Sequence, residues 1–269
     1  MRTTIAFIGC GKMGEAMLYG LISKGYATKN CIFVSDKSNT RLKAIKSRYK
    51  VNIRPSNIDA CAMSDIVILA VKPQDMEAVL AQTSDIIGDK LIISIAAGKT
   101  IDFIRKKTRA KRITRAMPNI PALVGCAMTA LAYSRGVTKR DKKNAEYIFN
   151  CIGKTIVLNE KYMDVVTAVS GSGPAYLFLF MEAMAKAAIS VGLKKDIAFR
   201  LITQTVYGSS LLQQTLDRCP ASLRADVTSK GGTTEAALKV FRKRGFDNII
   251  KEAVTAAFKK SKQLLRNNS

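Results

Sequence analysis

Short apolar runs and longer amphipathic stretches alternate through the first half of the chain. Residues 4–8, 31–35, 66–71 and 91–96 are apolar almost throughout, and residues 112–117 and 126–133 have strand composition as well. A strand that is apolar at successive positions is one covered on both faces. Residues 15–24 and 39–49 carry helical spacing instead. Buried strands alternating with helices predict an α/β domain with a parallel, doubly wound sheet. The pattern changes after about residue 160. Residues 175–191, 195–216, 234–244 and 247–265 are periodic in the helical sense, with no strand signal of comparable strength. An all-α second half follows, with a boundary near Asp164. The predicted domains are therefore residues 1–164 and 165–269.

Composition narrows the chemistry. The chain has 44 Lys and Arg against 20 Asp and Glu, a formal charge of +24, and no histidine. Serine and cysteine triads or dyads that need an imidazole are excluded, as is every His-ligated metal site, and no metal is expected. The six cysteines form no C-x-x-C pair and read as small hydrophobes of a reduced, cytoplasmic protein. The first residues are too Gly-rich and too short in their apolar stretch for a signal peptide. Residues 175–191 are the most apolar helix, but Glu182 and Lys186 argue against a membrane span. The basic clusters come without aromatic stacking positions or a zinc finger. They predict a solvated surface that steers small anions, with neither nucleic acid nor membrane as partner.

Five segments carry candidate chemistry. Gly9-Cys10-Gly11-Lys12-Met13-Gly14 follows the first strand and opens the first helix, the context in which such glycines let a pyrophosphate approach the helix N-terminus. The second strand ends at Ser35-Asp36-Lys37-Ser38, where the adenosine ribose is read. Asp36 suits the 2′-hydroxyl of NAD, whereas Ser35, Lys37 and Ser38 suit the 2′-phosphate of NADP; residue types leave the two open. Ala70-Val71-Lys72-Pro73, Ala96-Ala97-Gly98 and Met117-Pro118-Asn119 end three further strands at the same sheet edge. In the helical half, Ser229, Gly231, Gly232, Thr233 and Thr234 precede a helix and form a nest of backbone N–H groups suited to a carboxylate. Ser170-Gly171-Ser172-Gly173-Pro174 is a small-residue helix start.

In this order and over essentially the whole chain, these segments resemble pyrroline-5-carboxylate reductases; Thr228-Ser229-Lys230-Gly231-Gly232-Thr233-Thr234 is the most specific of them. The resemblance implies a Rossmann-type domain followed by an all-α dimerisation domain. It implies reduction of 1-pyrroline-5-carboxylate to L-proline, the last step of proline biosynthesis, by a homodimer and, beyond it, a decamer built from dimers. It implies cofactor contacts at Ile8, Gly9, Cys10, Gly11, Lys12, Met13, Ser35, Asn57, Ala70, Val71, Lys72, Pro73, Ile95, Ala96 and Ala97, with NADP(H) preferred and NAD(H) also accepted. Substrate contacts fall on Glu160, Asp226, Thr233 and Thr234, and Thr234 is the candidate to hydrogen-bond the ring nitrogen and relay its proton. The chain departs from the family at Asp226, where Asn is usual, and at Asp36-Lys37, where bacterial relatives often carry Asn-Arg. Two other readings are a β-hydroxyacid dehydrogenase-type enzyme and an NADP-sensing regulator that binds nucleic acid. The first needs a catalytic Lys with Asn one turn on; here Lys186 is followed by Ser190.

Overall fold

The computed structural model describes residues 3–266. The chain divides into two compact units: the segment up to Ser172 together with the chain from Ala257 on, and Gly173–Ala256.

The first unit is built on one eight-stranded sheet. Its strands are β1 (Ile5–Ile8), β2 (Ile32–Ser35), β3 (Asn52–Ile53), β4 (Ile66–Leu69), β5 (Leu91–Ser94), β6 (Ile113–Met117), β7 (Ala127–Tyr133) and β8 (Gly153–Val157). Their order is β3-β2-β1-β4-β5-β6-β7-β8. Helices α1 (Lys12–Ser23), α2 (Asn39–Tyr49), α3 (Asn57–Ala62), α4 (Met76–Ile87), α5 (Ile101–Thr108) and α6 (Lys139–Asn150) connect them. β1, β2, β4 and β5 are buried at every position. The period of two sends Ile5 and Phe7 to one face and Ala6 and Ile8 to the other, each into its own apolar cluster. This is why the sequence shows unbroken apolar runs there.

Pairing is parallel except between β6 and β7. Only residues 118–126 join these two strands, including a 3₁₀ turn at Ile120–Val124 and Gly125 at φ 72°. That is shorter than the dozen or so residues a parallel crossover needs. β3 and β8 carry no apolar run, since β3 has two residues and none of β8 is fully buried.

The strand order reverses at β1, which is flanked by β2 and β4. Ligands of open α/β sheets sit outside the carboxyl ends of strands at such a switch point. Ile8 is in register with Leu69, so the glycine loop and Ala70–Lys72 leave the sheet side by side.

After β8 come α7 (Met163–Val166) and a π-helical turn at Thr167–Gly171, closed by Ser172 N–H donating to the Thr167 carbonyl at 2.9 Å. The second unit holds α8 (Gly173–Ser190), α9 (Lys195–Leu216), α10 (Pro220–Asp226), α11 (Thr233–Lys243) and the first part of α12 (Phe246–Arg266). Within it only Ala185, Ala198 and Ile202 are buried, while Leu179, Val191, Leu201 and Tyr207 are more than half exposed. The run Glu160–Ser190 is long and apolar enough to cross a membrane by length and composition. A helix that stays apolar and exposed in one chain is equally one that pairs with another protein surface.

Candidate active site

The glycine loop is shaped by contacts that only small residues allow. Gly9 has φ +81°, and a Cβ on it would lie 2.7 Å from Val71 Cγ1 and 3.0 Å from the Ala70 backbone. Its N–H donates to the Ser35 carbonyl at 2.8 Å, and Ala70 N–H donates to the Ile8 carbonyl at 2.8 Å. Gly11 is the N-cap of α1 and supplies no side-chain cap, so the first-turn N–H groups at Lys12 and Met13 stay open to an anion. A cavity of about 400 Å³ opens beside the loop. Gly9, Gly11, Asp36, Lys37, Asn57 and Lys72 line it, as do Ala70 and Val71. Ile8 and Ser35 are buried strand ends, and Cys10 keeps its side chain in the core. Pro73 opens a 3₁₀ turn, and Ile95, Ala96 and Ala97 follow β5 at the same sheet edge. Gly14 packs its α-carbon against the loop, 3.2 Å separating a would-be Cβ from the Gly9 carbonyl oxygen.

Several charged groups around this cavity are engaged by the protein itself. Asp36 Oδ2 accepts from Cys10 N–H at 2.7 Å, and Oδ1 accepts from Ser38 N–H at 2.9 Å. Lys37 Nζ donates to Asp75 Oδ2 at 2.8 Å while its side chain stays largely exposed. Burial pushes the Cys10 thiol up to about 12, with the Arg41 charge opposing, so the thiol stays protonated at neutral pH. Asp75, Ala78 and Val79 also line the cavity, with two more polar residues the sequence does not point to. Arg41 lies on α2 shortly after Ser38, and its Nε donates to the Cys10 carbonyl at 2.7 Å. Gln82 on α4 accepts from Asn57 Nδ2 at 2.9 Å. Neither belongs to a spaced motif; only the fold brings them to the loop.

Met117-Pro118-Asn119 and Ser170-Gly171 prove to be neighbours. Asn119 Nδ2 donates to the Ser170 carbonyl and hydroxyl, each at 3.2 Å, and its Oδ1 accepts from Met128 N–H at 3.0 Å. A Cβ on Gly171 would come within 2.8 Å of Met117 Cε. Asn119 therefore ties the end of β6 to the π turn, the kind of helix irregularity that recurs at functional sites. Glu160 accepts from Ile101 N–H at 2.8 Å and pairs with the buried Arg115 at 3.1 Å.

The nest in the second unit differs in detail from its sequence reading. Gly231 has φ +74°, and its N–H is not open: it donates to Glu235 Oε2 at 2.9 Å. Gly232 is the N-cap of α11, again without a side-chain cap, and its N–H donates to the Ser229 carbonyl at 3.1 Å. The N–H groups of Thr233 and Thr234 have no partner among the described residues. Asp226 ends α10 and pairs with Arg218 Nη1 at 2.7 Å. Ser190, the residue one turn after Lys186, donates its hydroxyl to its own helix at the Ala187 carbonyl.

Comparison with known proteins identifies the family. Residues 160–264 match the model of pyrroline-5-carboxylate reductase dimerisation, and residues 4–98 match that of NADP oxidoreductase, coenzyme F420-dependent. A pyrroline-5-carboxylate reductase of Synechocystis sp. is 40% identical over 98% of this chain and 99% of its own. The structure of a pyrroline-5-carboxylate reductase from Coxiella burnetii superposes with a TM-score of 0.92 at 37% identity, covering 98% and 99% of the two chains. That of Plasmodium falciparum, with NADP bound, does so with 0.88 at 32% identity, covering 98% of each. With full-length identity of this order and both halves matched, the chain belongs to the pyrroline-5-carboxylate reductase family.

Proposed function

We infer that the chain reduces the C=N bond of 1-pyrroline-5-carboxylate with NADPH, giving L-proline. The observation that carries this is the pairing of two anion sites of different kind in a chain of this family. One is the glycine cradle beside β1 and β4; the other is the pair of open N–H groups at Thr233 and Thr234. A dinucleotide pyrophosphate fits the first, because the loop approaches Ala70 so closely that any Cβ at Gly9 is excluded. The bound dinucleotide supplies the hydride. The residues of the chain bind, orient and neutralise. The open N–H groups at the start of α11 hold the substrate carboxylate, where the helix dipole favours an anion. Thr234 follows within the same turn, and its hydroxyl serves as the hydrogen-bond partner of the ring nitrogen. Holding the ring in a fixed orientation contributes several kcal/mol to lowering the barrier. Glu160 and Asp226 act at the edges of the substrate site, with Ser229, Gly231 and Gly232 shaping the nest.

NADPH is preferred over NADH. Both oxygens of Asp36 already accept backbone N–H groups, which lessens its hold on a ribose hydroxyl, and Lys37 and Ser38 flank the place of a 2′-phosphate. Residues 1–164 serve as the dinucleotide domain and residues 165–269 as the substrate and dimerisation domain. The exposed apolar residues of α8 and α9 support a homodimer, from which a decamer of dimers is built. All six cysteines are unpaired, in keeping with the reducing cytoplasm. Steady-state oxidation of NADPH and of NADH by the imino acid, measured in parallel, tests the reading. Turnover with a larger kcat/KM for NADPH is expected; absence of turnover with both overturns it.

A further inference from the structure

The two peptide groups that flank the Cys10 α-carbon are each held by a charged side chain. Asp36 Oδ2 takes the Cys10 N–H at 2.7 Å, while Arg41 Nε donates to the Cys10 carbonyl at 2.7 Å. Arg41 is itself held, because its Nη2 donates to Glu15 Oε2. Glu15 in turn accepts from Tyr49 at 2.9 Å and from Arg48 at 3.1 Å through Oε1. The chain of contacts thus runs from α2 through a single carboxylate to the peptide that joins Cys10 to Gly11.

Glu15 stands in an awkward place for a simple anion site. It lies in the first turn of α1, next to the N–H groups that receive the pyrophosphate. A carboxylate there repels the ligand unless it does something else. What it does is orient Arg41, and Arg41 engages the Cys10 carbonyl. A carbonyl oxygen facing a phosphate oxygen would oppose binding, whereas one tied to a guanidinium leaves the N–H groups of the loop facing the ligand. We propose that Glu15 and Arg41 are positioning residues for the dinucleotide: together with Asp36 they fix the two peptides on either side of Cys10, and so set affinity for the pyrophosphate common to NADPH and NADH.

This rests on the functional reading above and predicts the opposite sign from plain electrostatics. Removing a negative charge beside an anion site should tighten binding; releasing the clamp should loosen it. Titration calorimetry of NADPH and NADH on the full-length protein separates the two, with thermal melting as a check of folding. Glu15→Gln keeps the size and the tyrosine contact but loses the charge that holds Arg41. Both dissociation constants are expected to rise by the same factor, about tenfold, the equivalent of one charge-assisted hydrogen bond. KM for the cofactor should rise with kcat unchanged, and Glu15→Asp should restore part of the affinity. Arg41→Lys keeps the charge but lacks a fork that reaches both Cys10 and Glu15, so it too should weaken both cofactors equally. Unchanged or tighter binding in the variants overturns the clamp, and so does a loss confined to NADPH, which would make Arg41 a 2′-phosphate ligand. A wild-type chain that binds neither dinucleotide overturns the functional reading along with it.

Discussion

Thr234 offers a perturbation in which structural and chemical roles give different signatures. A threonine near a helix start commonly serves as a cap, and losing a cap costs about 1 kcal/mol. Here that role is taken. The N-cap of α11 is Gly232, and the back-bond to the preceding turn comes from Glu235 to Gly231 N–H. Nor does Thr234 spend its hydroxyl on its own helix, as Thr83, Thr167 and Thr255 do, each donating to the carbonyl four residues back. Its residue four back, Lys230, precedes the helix. Thr234→Ala therefore removes no intramolecular hydrogen bond, and alanine's helix propensity favours the variant by up to about 0.5 kcal/mol. The melting temperature should stay level or rise slightly. Turnover should fall. A hydrogen bond to the ring nitrogen is worth about 1.5–3 kcal/mol, or roughly ten- to a hundredfold in rate. The hydroxyl donates to the lone pair that develops on the nitrogen as the hydride arrives, a contact the protonated imine lacks, so kcat falls more than KM rises. Steady-state kinetics with the cyclic imino acid, alongside thermal melting by circular dichroism, decide the matter. A variant that melts lower but turns over at the wild-type rate refutes the chemical role.

Other perturbations test the surroundings. Asp75→Asn releases Lys37, so KM for NADPH should fall while that for NADH stays put; Lys37→Ala should do the reverse to NADPH alone, and equal effects on both cofactors would refute the 2′-phosphate assignment. Asp141 is fully buried. Burial raises its pKa, but hydrogen bonds from Arg112 at 2.9 Å and from Thr138 outweigh this and lower it to about 2. Its folded pKa is depressed, so its contribution is complete above the ordinary carboxylate pKa and lost as pH falls towards 2. Acid denaturation of Asp141→Asn should show about 2 kcal/mol less stability at neutral pH and a flatter slope between about pH 4 and 2. Light scattering should give a dimer or a larger assembly, and Leu179→Asp on the exposed face of α8 should shift it to smaller species. Arg218→Ala leaves Asp226 uncompensated and should raise KM for the imino acid, with Asp226→Asn in the same chain restoring it.

The parts of the fold that the sequence discloses are those where burial is symmetric. β1, β2, β4 and β5 show unbroken apolar runs because helices cover both faces, and α11 and α12 show clean helical periodicity. β8 has no such signature, since its residues are half-buried or exposed and its pairing with β7 is mostly a matter of backbone. The antiparallel entry of β7 follows from loop length, which becomes informative only once the strand ends are known. At the site, the glycine loop and the nest are legible because a positive φ or a missing Cβ demands glycine. Arg41 and Gln82 are not, because a lone Arg or Gln on a helix is ordinary until its distance to another segment is known. The open state of Gly231 N–H is misread for the same reason: Glu235 is an expected first-turn acid, and only geometry reveals that it reaches back to that donor.

One rule of charge runs through both anion sites. Each is lined by carboxylates, which would seem to repel the ligands proposed for it. Yet every one is engaged by a donor of the protein. Asp36 receives two backbone N–H groups, Glu15 receives Arg41, Arg48 and Tyr49, Asp75 receives Lys37, Asp226 receives Arg218, and Glu235 receives Gly231. A carboxylate so engaged fixes the direction of backbone and side-chain donors at the cost of a charge that its partners largely cancel. The acid at the end of β2 is an instance. In isolation it suggests the ribose hydroxyls of NAD, but its oxygens hold the loop that receives the pyrophosphate, an element both dinucleotides share. Discrimination then falls to the cations around it. Of these, Lys37 is engaged by an exposed carboxylate that a 2′-phosphate, carrying nearly two negative charges, can displace. A preference for NADPH is in this way compatible with an aspartate at the position where an acid ordinarily argues for NADH.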